Sequence, residues 1–165
     1  MRAVLEHCAG REETYLPADT LLIHEGKTTG DLYILIEGQL DVLKGDTVVA
    51  VVTEPGAILG EMSVLLSQPH TATVRAATGS TVYQIDDGAG FLRAKPAVAL
   101  LVATLLAQRL NAATTYLADI KRQYAGHGNH LEMVGEVLES LVNLSAAKAA
   151  PGSDRQPERL PDSRL

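Results

Sequence analysis

The sequence predicts an α+β protein that is mainly β: an antiparallel β-roll or jelly roll with a short N-terminal helix, a long C-terminal dimerisation helix and one further helix. Short apolar runs with period-two alternation, separated by glycines, fill the first half of the chain and are typical of antiparallel rolls and sandwiches. From Pro96 onward the apolar period becomes that of a helix. Because aromatic residues make up only 4% of the chain, aliphatic side chains must fill the core.

The strands are expected between Tyr15 and about Asp86, after a leading helix within residues 1–8. In the clearest strand, Leu32, Ile34 and Ile36 alternate with Tyr33 and Leu35, which is the pattern of side chains that point to opposite faces. The predicted strands are residues 32–36, 40–42, 47–52, 71–74 and 81–85, with turns at Gly26, Gly30, Gly38, Gly45, Gly56 and Gly79.

The long helix is predicted from the residue after Pro96 to about Tyr124, because proline suits a first helical turn and no Gly or Pro follows. Its apolar residues step alternately by four and three, which is a heptad seam and favours a homodimer. The seam residues are Leu106, Leu110, Ala113, Leu117, Ile120 and Tyr124. The alternative is a helix docked only on its own domain. The expected divisions are residues 1–95 for the roll, 96–125 for this helix, 129–145 for a terminal helix and 149–165 for a disordered tail.

Charge and cysteine content exclude several classes of partner. The net charge is −6 and no basic stripe is visible, so we expect neither DNA nor an anionic membrane as a partner. The single cysteine, Cys8, permits no internal disulfide, which suits a reducing cytoplasm. The best apolar run, residues 97–107, is shorter than the roughly 18 to 20 residues that span a bilayer.

No pattern of catalytic or metal-binding residues stands out. The spacings of His7, Cys8, His24, His127 and His130 match no metal signature. His127 and His130 sit in or beside a glycine break, where surface loop positions are the simpler interpretation. The sequence contains no nucleophile elbow, no P-loop motif and no paired-carboxylate site. The pair of aspartates at 86 and 87 looks like a helix start and not a catalytic pair. The sequence therefore predicts no enzyme, no metal and no cofactor.

The informative stretch runs from Pro55 to Ala76. It reads as a strand end, a glycine, a short apolar helical turn, a proline-led loop and a return strand. Gly60 would open the helix, whose free backbone N–H groups attract anions such as phosphate. Glu61 beside them can accept hydrogen bonds from sugar hydroxyls. Taken alone, a Gly-Glu pair before a helical turn is ordinarily just a cap.

The full arrangement resembles the phosphate-binding cassette of the cyclic nucleotide-binding domain family, and the chain looks like a stand-alone bacterial member of the catabolite activator type. The resemblance covers roughly residues 10 to 120. The matching segments are Leu59-Gly60-Glu61-Met62-Ser63-Val64-Leu65 and Pro69-His70-Thr71-Ala72-Thr73-Val74-Arg75-Ala76.

The resemblance implies a ligand, cAMP or cGMP, and a role for each matching residue. The N–H groups of Gly60 and Met62 would meet the cyclic phosphate, and Glu61 would hold the ribose 2′-hydroxyl. Thr71 would contact the phosphate or a guanine, and its presence weakly favours cGMP as the ligand. Positions on the long helix that cap the base in the family fall at Arg109, Asn111, Ala113 and Thr114. The predicted ligand-binding residues are Leu59, Gly60, Glu61, Met62, Ser63, His70, Thr71, Ala72, Arg109 and Thr114.

One departure from the family concerns the phosphate-binding arginine, whose position holds His70. Arginine is always charged and grips phosphate with two hydrogen bonds, whereas histidine is only partly protonated at neutral pH. His70 would bind phosphate weakly when protonated, bind a different ligand, or lie in a pocket that has lost its ligand. Arg75 is not expected to substitute, because the family has its own basic residue there.

These observations predict a non-enzymatic regulatory protein that binds cAMP or cGMP and signals through helix movement and contacts with an unknown protein partner. The residues after Gly128 suggest one helix and a polar tail, too few for the winged helix-turn-helix of the family's transcription factors. The alternative is a ligand-free, dimeric protein-interaction module.

Overall fold

The computed structural model describes residues 2–123 and Val137. Its elements follow the predicted order, with a short helix, eight strands around a second helix, and two further helices. Their bounds are α1 Ala3–Glu6, β1 Glu13–Leu16, β2 Leu21–Ile23, β3 Leu32–Glu37, β4 Leu40–Lys44, β5 Thr47–Val52, β6 Ile58–Leu59, α2 Glu61–Leu66, β7 Thr73–Ala76, β8 Ser80–Ile85, α3 Gly88–Ala94 and α4 Pro96–Gln123.

The strands form two four-stranded antiparallel sheets, ordered β1-β8-β3-β6 and β2-β7-β4-β5. This arrangement confirms the predicted roll. Strand β3 lies inside its sheet and is covered on both faces: Leu32 and Ile34 pack among the helices, while Tyr33 and Leu35 join the core of the facing sheet. Both sets of alternating residues in β3 are apolar for this reason.

Strand β7 begins two residues later than expected, at Thr73 and not at Thr71. Its ladder with β4 starts where Thr73 pairs with Leu43. Thr71 and Ala72 precede the strand, in the loop between α2 and β7.

The helices after the roll begin as the sequence indicates. The Asp87 carboxylate caps α3 by accepting a hydrogen bond from the Gly90 N–H at 2.8 Å, which satisfies a donor that the first helical turn leaves open. Helix α4 begins at Pro96. Val98 and Val102 from its first turns are buried in the core cluster that also contains Phe91 and Leu92 of α3.

The chain divides into two compact units, residues 1–108 and a second unit that begins at Arg109. The described part of the second unit is the remainder of α4 together with Val137. The predicted terminal helix at residues 129–145 lies, Val137 apart, outside the described residues. The predicted tail at 149–165 and seam residue Tyr124 lie outside them too.

Helix α4 is more apolar along its length than the sequence analysis suggested. It has 28 residues and contains an 18-residue window of mean hydropathy 1.4, so by length and composition alone it is long and apolar enough to cross a bilayer. Its apolar residues extend beyond the uninterrupted run at residues 97–107. Exposed polar residues, Gln108, Arg109 and Asn111, interrupt the apolar sequence of the helix. Its first turns contribute Val98 and Val102 to the core.

Candidate functional site

The segment Leu59–Ala76 is the candidate site, and we call it the cassette. It leaves β6 at the buried Leu59, turns at Gly60 and continues into α2. Gly60 has a φ of +89°, a left-handed conformation that glycine adopts far more readily than other residues. Glu61, in the first turn of α2, is only 5% exposed although it carries an ionisable group. A short helix thus begins with a glycine turn and a buried carboxyl group.

Gly60 also lies close to the loop that precedes β3. A β-carbon at Gly60 would lie 2.5 Å from the backbone oxygen of Asp31, well inside van der Waals contact. Any side chain at this position would push the cassette away from that loop. The glycine therefore permits both the turn and the close approach.

Ser63 closes the other end of α2. Its hydroxyl donates to the Gln68 carbonyl oxygen at 2.5 Å, and the Gln68 N–H donates to the Ser63 carbonyl at 3.2 Å. Ser67 adopts a left-handed conformation as the C-cap. The Ser63 hydroxyl thus has a partner within the cassette, and its predicted contact with a ligand stays a prediction.

His70 is buried, with 5% of its surface exposed. Its Nε2 lies 3.0 Å from the Thr29 hydroxyl oxygen. Its backbone N–H donates to the Lys27 carbonyl, and its carbonyl accepts from the Gly26 N–H, both at 2.8 Å. Burial lowers the pKa of His70 below its usual value of 6.5, and the negative charge of Asp31 opposes this shift in part. Burial in the folded protein therefore favours the neutral imidazole.

The residues after His70 are tied to the β4–β5 hairpin. The Lys44 ammonium group donates to the Thr71 carbonyl oxygen at 2.6 Å and to the Glu25 carboxylate at 2.5 Å. The hydrogen bond from Lys44 lowers the pKa of Glu25. These exposed charges hold the end of the cassette beside the loop after β2.

Arg75, which is not expected to replace the missing arginine, lies close to two carboxylates. Its guanidinium group lies 3.2 Å from the Asp41 carboxylate and 3.7 Å from that of Asp19. Asp41 is buried, and a paired guanidinium group is what makes a buried carboxylate tolerable.

Most of the predicted ligand-binding residues lie in the cassette, where they are neighbours in sequence. Those in the cassette are Leu59, Gly60, Glu61, Met62, Ser63, His70, Thr71 and Ala72. The other two, Arg109 and Thr114, lie on α4 within the second unit, where the Thr114 hydroxyl donates to the Leu110 carbonyl at 2.8 Å. Contact of each of these residues with a ligand stays a prediction.

Sequence reasoning missed the loop that supports the cassette. Thr29 contacts His70 and Asp31 contacts Gly60, although each pair is distant in sequence. The only local signal is the Thr-Thr-Gly-Asp turn directly before β3, which marks a turn and says nothing of its partners.

Metal-ligating side chains do not cluster in the part of the chain that the structure describes. Among residues 2–123 and Val137, no group of three or more His, Cys, Asp or Glu side chains could hold a metal ion. The chemistry available at the cassette is therefore that of backbone N–H groups, a carboxyl group, hydroxyl groups and a neutral imidazole.

Comparison with known proteins connects this geometry to a family. Residues 13–92 match the family model described as cyclic nucleotide-binding domain. The cAMP-activated global transcriptional regulator CRP of Salmonella typhimurium is 24% identical over 148 residues, which cover 86% of this chain and 65% of that protein. The CRP of Escherichia coli O157:H7 matches to the same extent. The chain thus spans about 65% of the length of these curated relatives.

Two solved structures share the fold. The catabolite activator protein of Thermus thermophilus superimposes with a TM-score of 0.56 and 21% identity, covering 90% of this chain and 85% of its own. A protein solved in work on a cyclic-GMP-dependent pathway that regulates bacterial phytopathogenesis gives a TM-score of 0.57 and 20% identity, covering 67% of this chain and 94% of its own. At these identities the likeness concerns the fold alone.

Proposed function

Residues 13–92 belong to the cyclic nucleotide-binding domain family, in its CRP-like form, and from this premise we propose that the protein is a non-enzymatic regulator that binds cAMP or cGMP in its roll. The observation that carries the proposal is the start of the cassette. Gly60 makes the left-handed turn, α2 follows, and Glu61 is buried in its first turn. Helix starts present N–H groups without intrahelical partners, which suit a phosphate, and a carboxylate suits vicinal ribose hydroxyls.

The affinity is expected to be lower than in family members that have an arginine at the position of His70. A hydrogen bond to a charged group contributes about 1.5–3 kcal/mol. Its loss corresponds to a reduction in affinity of about ten- to a hundredfold. In this account Glu61 and the N–H groups supply most of the binding energy.

The signal would pass from the cassette into α3 and then into α4. A β-carbon at Gly88, the first residue of α3, would lie 2.9 Å from Val64 Cγ2 of α2 and 2.9 Å from the Gly30 carbonyl oxygen. A shift of α2 on ligand binding therefore meets the start of α3 directly. Phe91 of α3 packs in the same core cluster as Val98 of α4, so the first turns of α4 would change how they dock on the roll. This is a population shift between two docked arrangements.

The output of that shift would be an altered homodimer contact or an altered contact with a protein partner. Large apolar side chains are exposed along α4, including Leu100, Leu110 and Tyr116. Exposed apolar patches of this kind mark interaction surfaces, and the heptad seam suits a second copy of the same helix. We propose that the protein is cytoplasmic, because its single cysteine permits no internal disulfide. We propose neither DNA nor a membrane as a partner, because the net charge is −6.

Isothermal titration calorimetry of the full chain with cAMP, cGMP and cyclic dinucleotides tests the proposal. We expect a saturable heat at one site per chain with cAMP or cGMP, at micromolar or weaker affinity. If only a cyclic dinucleotide gave heat, the ligand would be a cyclic dinucleotide and not cAMP or cGMP. Absence of heat with every ligand, at protein concentrations of several hundred micromolar, would overturn ligand binding.

A second function, that of a ligand-free interaction module, is favoured by one observation. His70 is buried, neutral and hydrogen-bonded to Thr29, so it contributes no permanent positive charge for a phosphate. If the roll were only a scaffold, the exposed face of α4 would be the functional surface. The two functions differ in the calorimetric result and share the expectation of a dimer.

A further inference from the structure

We propose that Thr29 is a positioning residue of the ligand site: its hydroxyl holds His70 by Nε2 and leaves Nδ1–H to donate to the ligand phosphate. This inference rests on the proposed function, because it assumes that the cassette binds a cyclic nucleotide. Thr29 lies outside the cassette, in the loop between β2 and β3. Its proposed role follows from its contacts with His70 and Asp31.

The loop that contains Thr29 supports the cassette at both ends. At the far end, His70 exchanges backbone hydrogen bonds with Gly26 and Lys27. At the near end, the Asp31 carbonyl oxygen lies against Gly60. The Gly88 N–H at the start of α3 also donates to the Gly30 carbonyl, at 3.0 Å. A loop fixed at three points is a rigid base from which Thr29 can orient a side chain.

The Thr29 hydroxyl is assigned as the donor to His70 Nε2, one of the two directions that the 3.0 Å contact allows. The Asp31 N–H donates to the Thr29 hydroxyl oxygen at 3.2 Å, so this oxygen already accepts one bond and its own proton is available. That proton can be donated to His70 Nε2, 3.0 Å away. In a neutral histidine whose Nε2 accepts, the proton lies on Nδ1.

Nδ1 is then the donor that remains for a ligand. In the part of the chain that the structure describes, Nε2 is the only ring nitrogen of His70 with a hydrogen-bond partner. A fixed arginine would present several donors to a phosphate, whereas a neutral imidazole presents a single N–H. A single donor is effective only when the ring is held in one orientation and one tautomer, and Thr29 supplies both.

The test compares Thr29→Val, which removes the hydroxyl with little change of volume, with Thr29→Ser, which keeps it. The probes are fluorescent cAMP and cGMP, and adenosine and guanosine serve as ligands without phosphate. We expect Thr29→Val to weaken nucleotide binding about three- to tenfold, the size of one neutral hydrogen bond, while nucleoside binding is unchanged. Thr29→Ser should restore nucleotide affinity.

Two further measurements separate positioning from a general structural effect. In a His70→Ala background, Thr29→Val should cause no further loss, because the two residues act as one unit. Nitrogen-15 shifts of His70 should report the Nδ1–H tautomer in the original chain and in Thr29→Ser, and a different tautomer balance in Thr29→Val.

The outcomes distinguish this inference from the function on which it rests. Equal nucleotide affinity in the original chain and Thr29→Val overturns the inference alone. An equal loss for nucleotides and nucleosides does the same, since it indicates a structural role. If the original chain binds no cyclic nucleotide, the proposed function is wrong and the role of Thr29 falls with it.

Discussion

Gly60 and Asp31 are in backbone contact, although 29 positions separate them by number: a β-carbon on Gly60 would come within 2.5 Å of the Asp31 carbonyl oxygen. The contact joins the first turn of the cassette to the loop before β3. It fixes the position of the N–H groups at the start of α2 relative to the sheet.

We expect Gly60→Ala to lower the free energy of unfolding by about 2–4 kcal/mol, because backbone strain at positive φ adds to a steric overlap. Gly10→Ala is the matched control: Gly10 has a φ of +85° and nothing within 4 Å of its β-carbon position. That control should cost about 1 kcal/mol. Urea unfolding of both variants measures the difference. Equal costs would mean that the Asp31 contact is unimportant.

Glu61 is predicted to hold the ribose 2′-hydroxyl, so Glu61→Ala should weaken cAMP binding about ten- to a hundredfold, the effect of one hydrogen bond to a charged group. The matched ligand is 2′-deoxy-cAMP, which lacks the hydroxyl that Glu61 would hold. It should bind the original chain more weakly than cAMP does. In Glu61→Ala the two ligands should bind with equal affinity. Glu61→Gln keeps the side-chain volume at this buried position and controls for packing. If Glu61→Ala still bound 2′-deoxy-cAMP much more weakly than cAMP, Glu61 would not be the residue that contacts the 2′-hydroxyl.

The seam on α4 should make the protein a homodimer of about twice the 17.5 kDa chain mass. Leu110 is 44% exposed in the single chain, and Leu110→Glu would place a charge in the seam and shift the dimer toward monomer. Gln108→Glu, two residues away and off the seam, should leave the dimer intact. Light scattering coupled to gel filtration gives the masses. A monomer for the original chain at high micromolar concentration would contradict the prediction.

The pH dependence of nucleotide binding should reflect His70. In the free protein burial holds its pKa below 6.5, while Asp31 acts in the opposite direction. A bound phosphate would raise the pKa of His70, so the complex would bind more protons than the free protein. Affinity should therefore increase as the pH falls from about 8 to 6. Fluorescent cAMP titrations across this range should show the increase in the original chain and a flat profile in His70→Gln.

The stability of the ligand-free protein provides the control for that experiment. As the pH falls, His70 should lower stability, whereas it should increase nucleotide affinity. The pKa of His70 is lower in the folded than in the unfolded chain, so the unfolded chain takes up the proton first as the pH falls. His70 should thus reduce the stability of the ligand-free protein below about pH 6.5. The melting temperature should fall less between pH 7.5 and 5.5 in His70→Gln than in the original chain. An equal fall in both would mean that His70 is not buried as described.

The sequence was sufficient to predict the roll, because its signals are local. Alternation in β3, the glycine at position 60 and the proline at position 96 each determine one element through backbone geometry. Local pattern was less informative for β5. Its continuous valine-rich run is of a kind also seen in buried strands, yet β5 is an edge strand with Val48, Val49 and Val51 exposed.

The contacts that hold His70 and Thr71 in place could not be predicted from the sequence. The partner of His70 is 41 residues away, and only the pairing of the strands brings the two loops together. The same holds for Lys44, which reaches the Thr71 carbonyl from another strand. Burial of His70, and with it the direction of its pKa shift, follows from this tertiary packing and from nothing in the local pattern.

The proposed binding of a cyclic nucleotide by the cassette, with an affinity that His70 limits, can be tested directly. One titration series tests it most directly: fluorescent cAMP and cGMP against the original chain and His70→Arg, with folding of both checked by thermal unfolding. We predict saturable binding to the original chain and binding at least about tenfold tighter to His70→Arg, because arginine restores a permanent, bidentate donor. Absence of binding to both folded proteins would contradict the claim.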